Sequence, residues 1–296
     1  MRKHLHALSP AWHSGLRLAK REQQALLRSE TDITLLGTPD YEVMTTAAQT
    51  FYILGSGASV NDLTHAQWGK ISDGYSVGIN SWAFHPFMPS SYALESPREA
   101  RLSEQRLAIE KGLSRAGIIE KKPRILYFRD NSFIHSGDSV QVPRELHCST
   151  RLYGRTQFPP VSSPHLVLLL EAFLRRDASI ASRDCLLLDN GSTVIRLIHF
   201  ALRAGFRKVV LLGVDLGERQ YFFEEDPEIP LQAGVKAPSM GAIPSVHPTL
   251  SPGSRTAGFL SFLSKLSSAA ADIYGARIET GSNARIWQHW LPRYPW

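Results

Sequence analysis

The sequence predicts an α/β fold with a parallel sheet covered by helices on both faces. Short apolar runs of strand length alternate with longer segments of helical character. Those runs are continuously apolar rather than alternating, as strands buried on both faces are. Several runs end in Gly, Asn or Asp. Ligands of such sheets bind beyond the carboxyl ends of the strands, so those endings are the places to search.

The elements follow in chain order. Thr50–Leu54 (TFYIL) reads as a buried strand closed by Gly55. Asn61 or Asp62 can cap a short helix through Lys70. Tyr75–Ile79 (YSVGI) is a second strand, ending at Asn80, and Ser91–Leu94 a third. Pro97 suits a helix start, with Leu102, Leu107, Ile109 and Leu113 on its inner face. Arg124–Phe128 is the next strand, and residues 129–160 are turn-rich without a clear element. A helix from Pro164 to about Arg176 precedes a strand at Cys185–Leu188. Residues 192–204 form a helix stopped by Gly205. Lys208–Leu212 is strongly β-branched and ends at Gly213. Residues 217–252 hold six prolines and little periodicity, a long loop of the kind that is usually functional or disordered. A helix from about Gly253 to Tyr274 and a strand at Ala276–Glu279 complete the pattern.

Composition excludes several classes. The chain has 296 residues, 43% hydrophobic and 20% charged, which is ordinary globular usage. The longest apolar stretch, Leu166 to Leu174, is broken by Glu171 and falls short of the ~18 residues of a spanning helix. The basic start lacks an apolar core, so a secretory signal is not expected. Two cysteines, Cys148 and Cys185, make neither a disulfide framework nor a zinc site, which suits a reducing, cytoplasmic compartment. Net charge is +6, and residues 1–30 carry +4 of it. The remainder is nearly neutral, unlike the broad basic face of a nucleic-acid binder, so no nucleic-acid partner is expected. The arm has two readings: attraction to an anionic inner-membrane surface, or a solvated end. The tail, with Arg285, Trp287, His289, Trp290, Arg293, Tyr294 and Trp296, also has two: an interfacial surface, or a cap folded onto the core.

Candidate site residues follow from the strand ends. Gly55-Ser56-Gly57-Ala58-Ser59 can turn tightly and present amides and hydroxyls to a phosphate. It can equally be an ordinary tight turn. Val60 stands where a dinucleotide fingerprint needs glycine, and Asn80 ends the strand that would carry the acidic ribose ligand, so NAD is disfavoured. Asn80 can read a base or a phosphate, or simply form a turn. Glu95 and Ser96 follow the third strand. Asn190-Gly191-Ser192-Thr193 opens a helix and is a second potential anion site, or merely an N-cap. Asp215 follows the strongest strand, as a ligand contact or as a loop brace. Asn283 follows the last strand and can read a nucleobase or hold a loop. The long loop also holds Tyr221; His247 on it is a candidate general base or an ordinary surface histidine, and Glu224-Glu225-Asp226 is an acidic run more typical of a solvated face than of a metal site.

Taken in order, ILGSGAS, the GIN strand end, NGSTVIRLIHFALRAGFRKVVLLGVDL, the His247 region and GARIETGSN resemble a family. It is the small bacterial CMP-sialic-acid-dependent sialyltransferases of lipooligosaccharide synthesis, with the glycosyltransferases related to them. The resemblance runs from about Tyr52 to Asn283, weakest between residues 97 and 180. It implies a Rossmann-like, GT-A-like sialyltransferase fold with a lid at 217–252. The division it implies is a basic arm or helical extension at 1–48, a catalytic domain at 49–284 and a tail at 285–296. Gly55, Ser56, Gly57, Ser59 and Asn80 would hold CMP, with Ser56 where the family has Asn. A family Asn near the donor falls at Glu95 or Ser96, and neither matches it. The family's helix-start step falls near Gly191-Ser192, and Asp215 and Asn283 are further donor-side candidates. Of two family tyrosines that stabilise the departing phosphate, the first falls on Gly217 or Arg219 and the second near Tyr221. Arg219 would supply charge instead. His247 would be the base.

The implied reaction is an inverting transfer of a sialic-acid-like 2-keto sugar from a CMP-sugar to a surface-glycan acceptor, as in lipopolysaccharide or capsule synthesis. No cofactor or metal is implied: the CMP-sugar is a substrate, and its single phosphate can be held by amides, hydroxyls and a cation. The acceptor would be an oligosaccharide or lipid-linked glycan, met in the cytoplasm or peripherally on the inner membrane, by a monomer or a homo-oligomer. The alternatives are a magnesium-dependent pterin or nucleotide pyrophosphokinase-like enzyme and a flagellin-glycosylation-type accessory protein.

Overall fold

The computed structural model describes residues 24, 33–44, 49–95, 103–128, 142–158, 166–179, 185–216, 220–237 and 258–296. Among the described residues, nine strands form a sheet in which every strand pairing is parallel. In chain order they are β1 (Thr34–Leu35), β2 (Thr50–Leu54), β3 (Tyr75–Ile79), β4 (Ser91–Glu95), β5 (Arg124–Phe128), β6 (Thr150–Gln157), β7 (Leu186–Asp189), β8 (Lys208–Leu212) and β9 (Arg277–Thr280). Their spatial order is β1-β6-β5-β4-β3-β2-β8-β9, with β7 paired to the second half of β6. In β2, β3 and β8 every residue after the first is buried, so the sheet is covered on both faces.

The helices are α1 (Thr38–Met44), α2 (His65–Ser72), α3 (Ser103–Leu113), α4 (Ala116–Lys121), α5 (Leu166–Ser179), α6 (Thr193–Arg203), α7 (Phe222–Glu225), α8 (Glu228–Gln232) and α9 (Phe259–Tyr274). α2 joins β2 to β3, and α9 joins β8 to β9, which lie on opposite sides of the β2–β8 pair. Right-handed crossovers therefore put α2 on one face and α9 on the other, with α5 and α6 packed beside α9.

The topology reverses between β2 and β8. From β2 the chain steps to β3, and from β8 it steps the other way to β9. The carboxyl edge at such a reversal is the ligand position of a doubly wound sheet.

Three expectations change. Residues 33–44 are not a detached arm: β1 pairs with β6, and Tyr41 of α1 is fully buried. The stretch 129–160 contains β6, whose Arg151 is held by Asp40 of α1. Residues 220–237 are not a featureless loop, because α7 and α8 fold there. The tail takes the second of its two readings. It folds back on β9: Thr280 N–H donates to Pro292 O and Tyr294 N–H to Thr280 O. Tyr294 Oη lies 3.0 Å from Tyr52 Oη in β2. This covers a sheet edge that would otherwise expose unpaired backbone groups. None of the described helices is long and apolar enough to cross a membrane.

Beneath the site lies an aromatic cluster. His85 stacks on Trp82 at 4.4 Å and packs against Trp68 and Phe222, while its Nδ1 accepts the Phe87 N–H at 3.0 Å. Burial, and then the nearby Arg115 charge, push its pKa down to about 3. The unfolded chain titrates near 6.5, so neutral His85 stabilises the fold fully above that pH. The contribution is lost as pH falls from about 6.5 towards 3. Urea unfolding is expected to show about 2–3 kcal/mol less stability at pH 4.5 than at 7.5 from this group alone. In His85→Asn, whose carbonyl can take the Phe87 N–H, that slope is expected to flatten. An unchanged slope would remove His85 from the acid response.

Candidate functional site

The loop after β2 is shaped by its neighbours before any ligand arrives. Gly55 N–H donates to Leu212 O and Gly57 N–H to Gly213 O, both at 2.7 Å. Ala58 N–H donates to Gln220 O at 2.9 Å, and Ser59 N–H to Asp215 Oδ2 at 2.8 Å. The loop amides therefore point into the protein, which corrects the expectation that they form a phosphate cradle. The glycines have a different reason. A Cβ on Gly55 would fall 2.8 Å from the Gly213 carbonyl carbon, and one on Gly57 2.6 Å from Asp215 Cγ. They are required because two loops touch backbone to backbone, which no side chain tolerates. Among the described residues, the Ser56 N–H is the amide of Gly55–Ser59 without an acceptor, and Ser56 is only partly buried.

Asp215 acts as a brace in this structure, not as a group presented to a ligand. It is 2% exposed. Its Oδ2 takes the Ser59 N–H, and its Oδ1 takes the Ser59 hydroxyl at 2.5 Å and lies 2.9 Å from the Ser282 hydroxyl. This carboxylate joins the loops after β2, β8 and β9, with Gly213 (φ 62°) and Leu216 (φ 52°) in the left-handed region on either side of it. Ser59 is likewise buried in this joint. Asn283, beyond Ser282, is exposed, and its Oδ1 accepts from Arg293.

A second group of residues converges from β3, β4 and α6. Asn80 is a non-glycine residue at φ 45°, a strained backbone of the kind found at functional sites. Its Oδ1 accepts the Glu95 N–H at 3.1 Å, and among the described residues its Nδ2 has no acceptor. Ser56 Oγ donates weakly to Ile79 O, at 3.4 Å, which ties the first loop to this one. Glu95 pairs with Arg196 and accepts from the Thr193 hydroxyl, both on α6. Arg196 is 2% exposed and also bonds Asp189 Oδ1 at 2.6 Å. Gly191 N–H donates to the same oxygen at 3.0 Å. Ser192 is the N-cap of α6, yet its hydroxyl makes no capping bond. Asn190 is 4% exposed, and its Nδ2 is buried with no acceptor among the described residues. A buried amide donor of this kind costs free energy unless something accepts from it.

Tyr221 enters from the far side. Residues 220–222 form a one-residue antiparallel bridge to the first loop, with Tyr221 opposite Gly57 and Phe222 N–H on Ser56 O at 2.9 Å. The Tyr221 ring stacks on Phe223 at 5.3 Å. Burial, and then Glu224, raise its pKa, so the hydroxyl remains a proton donor at neutral pH.

Ser56, Asn80, Glu95, Gly191, Ser192 and Tyr221 therefore gather at the carboxyl edge around the switch point. Ser96, Arg219 and His247 lie outside the described residues. Among the described residues no three His, Cys, Asp or Glu side chains gather as metal ligands. Sequence reasoning missed Asp189 and Arg196. Arg196, His199 and Arg203 had a readable signal: polar residues spaced three and four apart on an otherwise apolar helix, all buried here.

No protein-family model matches the chain, and no curated protein matches it in sequence. Among solved structures it is similar to the sialyltransferase CstII from Campylobacter jejuni in complex with cytidine-5′-monophosphate. The match has 10% identity and a TM-score of 0.42, and covers 84% of this chain and 86% of that one. It is also similar to the monofunctional alpha-2,3-sialyltransferase Cst-I from Campylobacter jejuni, at 12% identity and a TM-score of 0.42, over 90% and 84% of the two chains.

Proposed function

We propose that this protein is a glycosyltransferase that moves a sialic-acid-like 2-keto sugar from a CMP-activated donor to a glycan acceptor. The observation that carries the reading is a set of neutral donors around the switch point, at the carboxyl edge of the sheet. They are the Ser56 N–H, Asn80 Nδ2, Asn190 Nδ2, the Ser192 hydroxyl and the Tyr221 hydroxyl, none with an acceptor among the described residues. Neutral donors suit a ligand rich in acceptor oxygens that carries little phosphate charge. A nucleoside monophosphate joined to a sugar acid is such a ligand.

The chemistry follows from those roles. The acceptor hydroxyl oxygen attacks the anomeric carbon as the bond from that carbon to the phosphate oxygen breaks, inverting the configuration. His247 takes the hydroxyl proton. CMP leaves with the bonding pair, and Tyr221, helped by Arg219, stabilises the charge developing on its phosphate. Ser56 and Asn80 hold the nucleotide. Metal independence, a lipid-linked acceptor and contact with the inner membrane belong to the same proposal.

A thermal-shift series in EDTA tests it. CMP at 100 times its Kd is expected to add about 2.7 kcal/mol and raise Tm by several degrees. CDP, UDP, GDP and NAD should shift it less. A shift with ATP alone, only when magnesium is restored, would replace this reading with phosphoryl transfer. His247→Ala is expected to abolish transfer while CMP binding persists. Retained turnover would remove His247 from the base role.

A further inference from the structure

The loop after β8 is held from two sides, by the first loop through Gly57 and Ser59 and by the C-terminal segment. The buried Trp287 indole N–H donates to Val214 O at 2.8 Å. Val214 lies between Gly213, at φ 62°, and Asp215. The Ser282 hydroxyl sits 2.9 Å from Asp215 and 3.0 Å from Ser59, and its oxygen accepts the Ala284 N–H at 3.1 Å. Gly281 N–H donates to Leu211 O at 2.9 Å, and Trp296 covers Gly281. The segment thus grips both the β8 turn and, through Asp215, the first loop with its unengaged Ser56 amide.

We infer that residues 281–287 are a clamp that holds the switch-point loops in their ligand-ready arrangement, with Trp287 as the positioning residue. The inference deepens the nucleotide-binding reading and rests on it for the ligand's identity. The physical argument is local. The Gly213–Leu216 turn carries two residues at positive φ, one of them leucine, and such a backbone persists only where its surroundings over-determine it. Trp287 supplies one of those constraints from the far end of the chain, through an N–H that no other aromatic side chain offers at that reach.

The test uses the full-length protein and three measurements: Tm, hydrogen exchange of peptides spanning 55–60 and 213–216, and CMP affinity by calorimetry. Trp287→Phe keeps a buried ring and deletes the N–H. It is expected to speed exchange in both peptides and weaken CMP binding about five- to tenfold, the usual effect of one lost hydrogen bond. Tyr294→Phe, which deletes the contact with Tyr52 on the same tail, should lower Tm without either effect. If Trp287→Phe matches Tyr294→Phe in exchange, the clamp is wrong. If exchange rises but CMP affinity is unchanged, Trp287 only stabilises the fold, and the positioning role is wrong. If exchange rises and the wild type binds no CMP, the clamp stands and the nucleotide reading falls.

Discussion

Gly213→Ala is expected to abolish nucleotide binding and to lower Tm by about 10 °C. Two penalties add at this position. Its φ of 62° strains any residue with a Cβ, at roughly 1–2 kcal/mol. The new Cβ would also press on the Gly55 carbonyl group, 3.0 Å from its carbon and closer to its oxygen, and within contact of Val60. The obstacle is backbone, so no rotamer change relieves it. Overpacking of this kind costs about 1–3 kcal/mol. The sum is about 2–5 kcal/mol, and in a chain of this size each kcal/mol moves Tm by roughly 2–4 °C. Relief requires the loops after β2 and β8 to separate, which breaks the Gly57 N–H to Gly213 O bond and displaces Ser56. Gly234→Ala is the control. Gly234 has a similar φ of 73°, but its added Cβ meets nothing within 4 Å. It should cost only the backbone strain and leave CMP affinity intact. If both substitutions cost the same, close approach of the loops is not what the glycine serves.

That pair of loops shows how far the residues alone could be read. Gly55, Gly57 and Gly213 marked tight turns, because tight turns at strand ends have few chemical solutions. They did not reveal the purpose, because phosphate cradling and backbone-to-backbone packing require the same residue. The strands with β-branched or continuous apolar runs, such as Lys208–Leu212, were legible within their ends. β6 was not: TRLYGRTQ carries two arginines and a glycine, and its place in the sheet depends on Asp40 and Asp189, far away in sequence. The same holds for Asp215. A carboxylate after a strand can face a ligand or brace a loop, and the choice was made by Ser59 and Ser282, 156 and 67 residues distant. Asn80, Glu95 and Ser192 could be placed at element ends because strand ends and helix starts are local features. Arg196, which links Glu95 to Asp189, was hidden by a helix that reads as core.

Asp177→Asn is expected to lower stability by about 3–5 kcal/mol without reshaping the site directly. Asp177 lies on α5, 8% exposed, against α6. Arg203 grips it with Nε at 3.0 Å and 2.9 Å from its two oxygens, and again through its terminal nitrogen. His199 is fully buried. Its Nδ1 accepts the Leu188 N–H at 3.0 Å, so that nitrogen carries a lone pair and the proton sits on Nε2, 3.1 Å from Asp177. Burial on its own would raise the Asp177 pKa. The His199 hydrogen bond and the Arg203 guanidinium outweigh it and hold the carboxyl well below its ordinary range. Asparagine keeps the shape and removes the charge, so the buried guanidinium loses the Asp177 carboxylate, which is the costly half of a broken buried pair. The sign of the pH effect follows. A carboxyl with a depressed folded pKa contributes stability that is complete above the unfolded value near 3.9 and is lost as pH falls below it. This loss begins where the His85 loss is well advanced, so the wild type should weaken in two stages on acidification. In Asp177→Asn the lower stage should vanish while the upper stage remains. If urea midpoints of the two proteins stay equally far apart from pH 7 down to pH 3, Asp177 is not an ionised partner of Arg203.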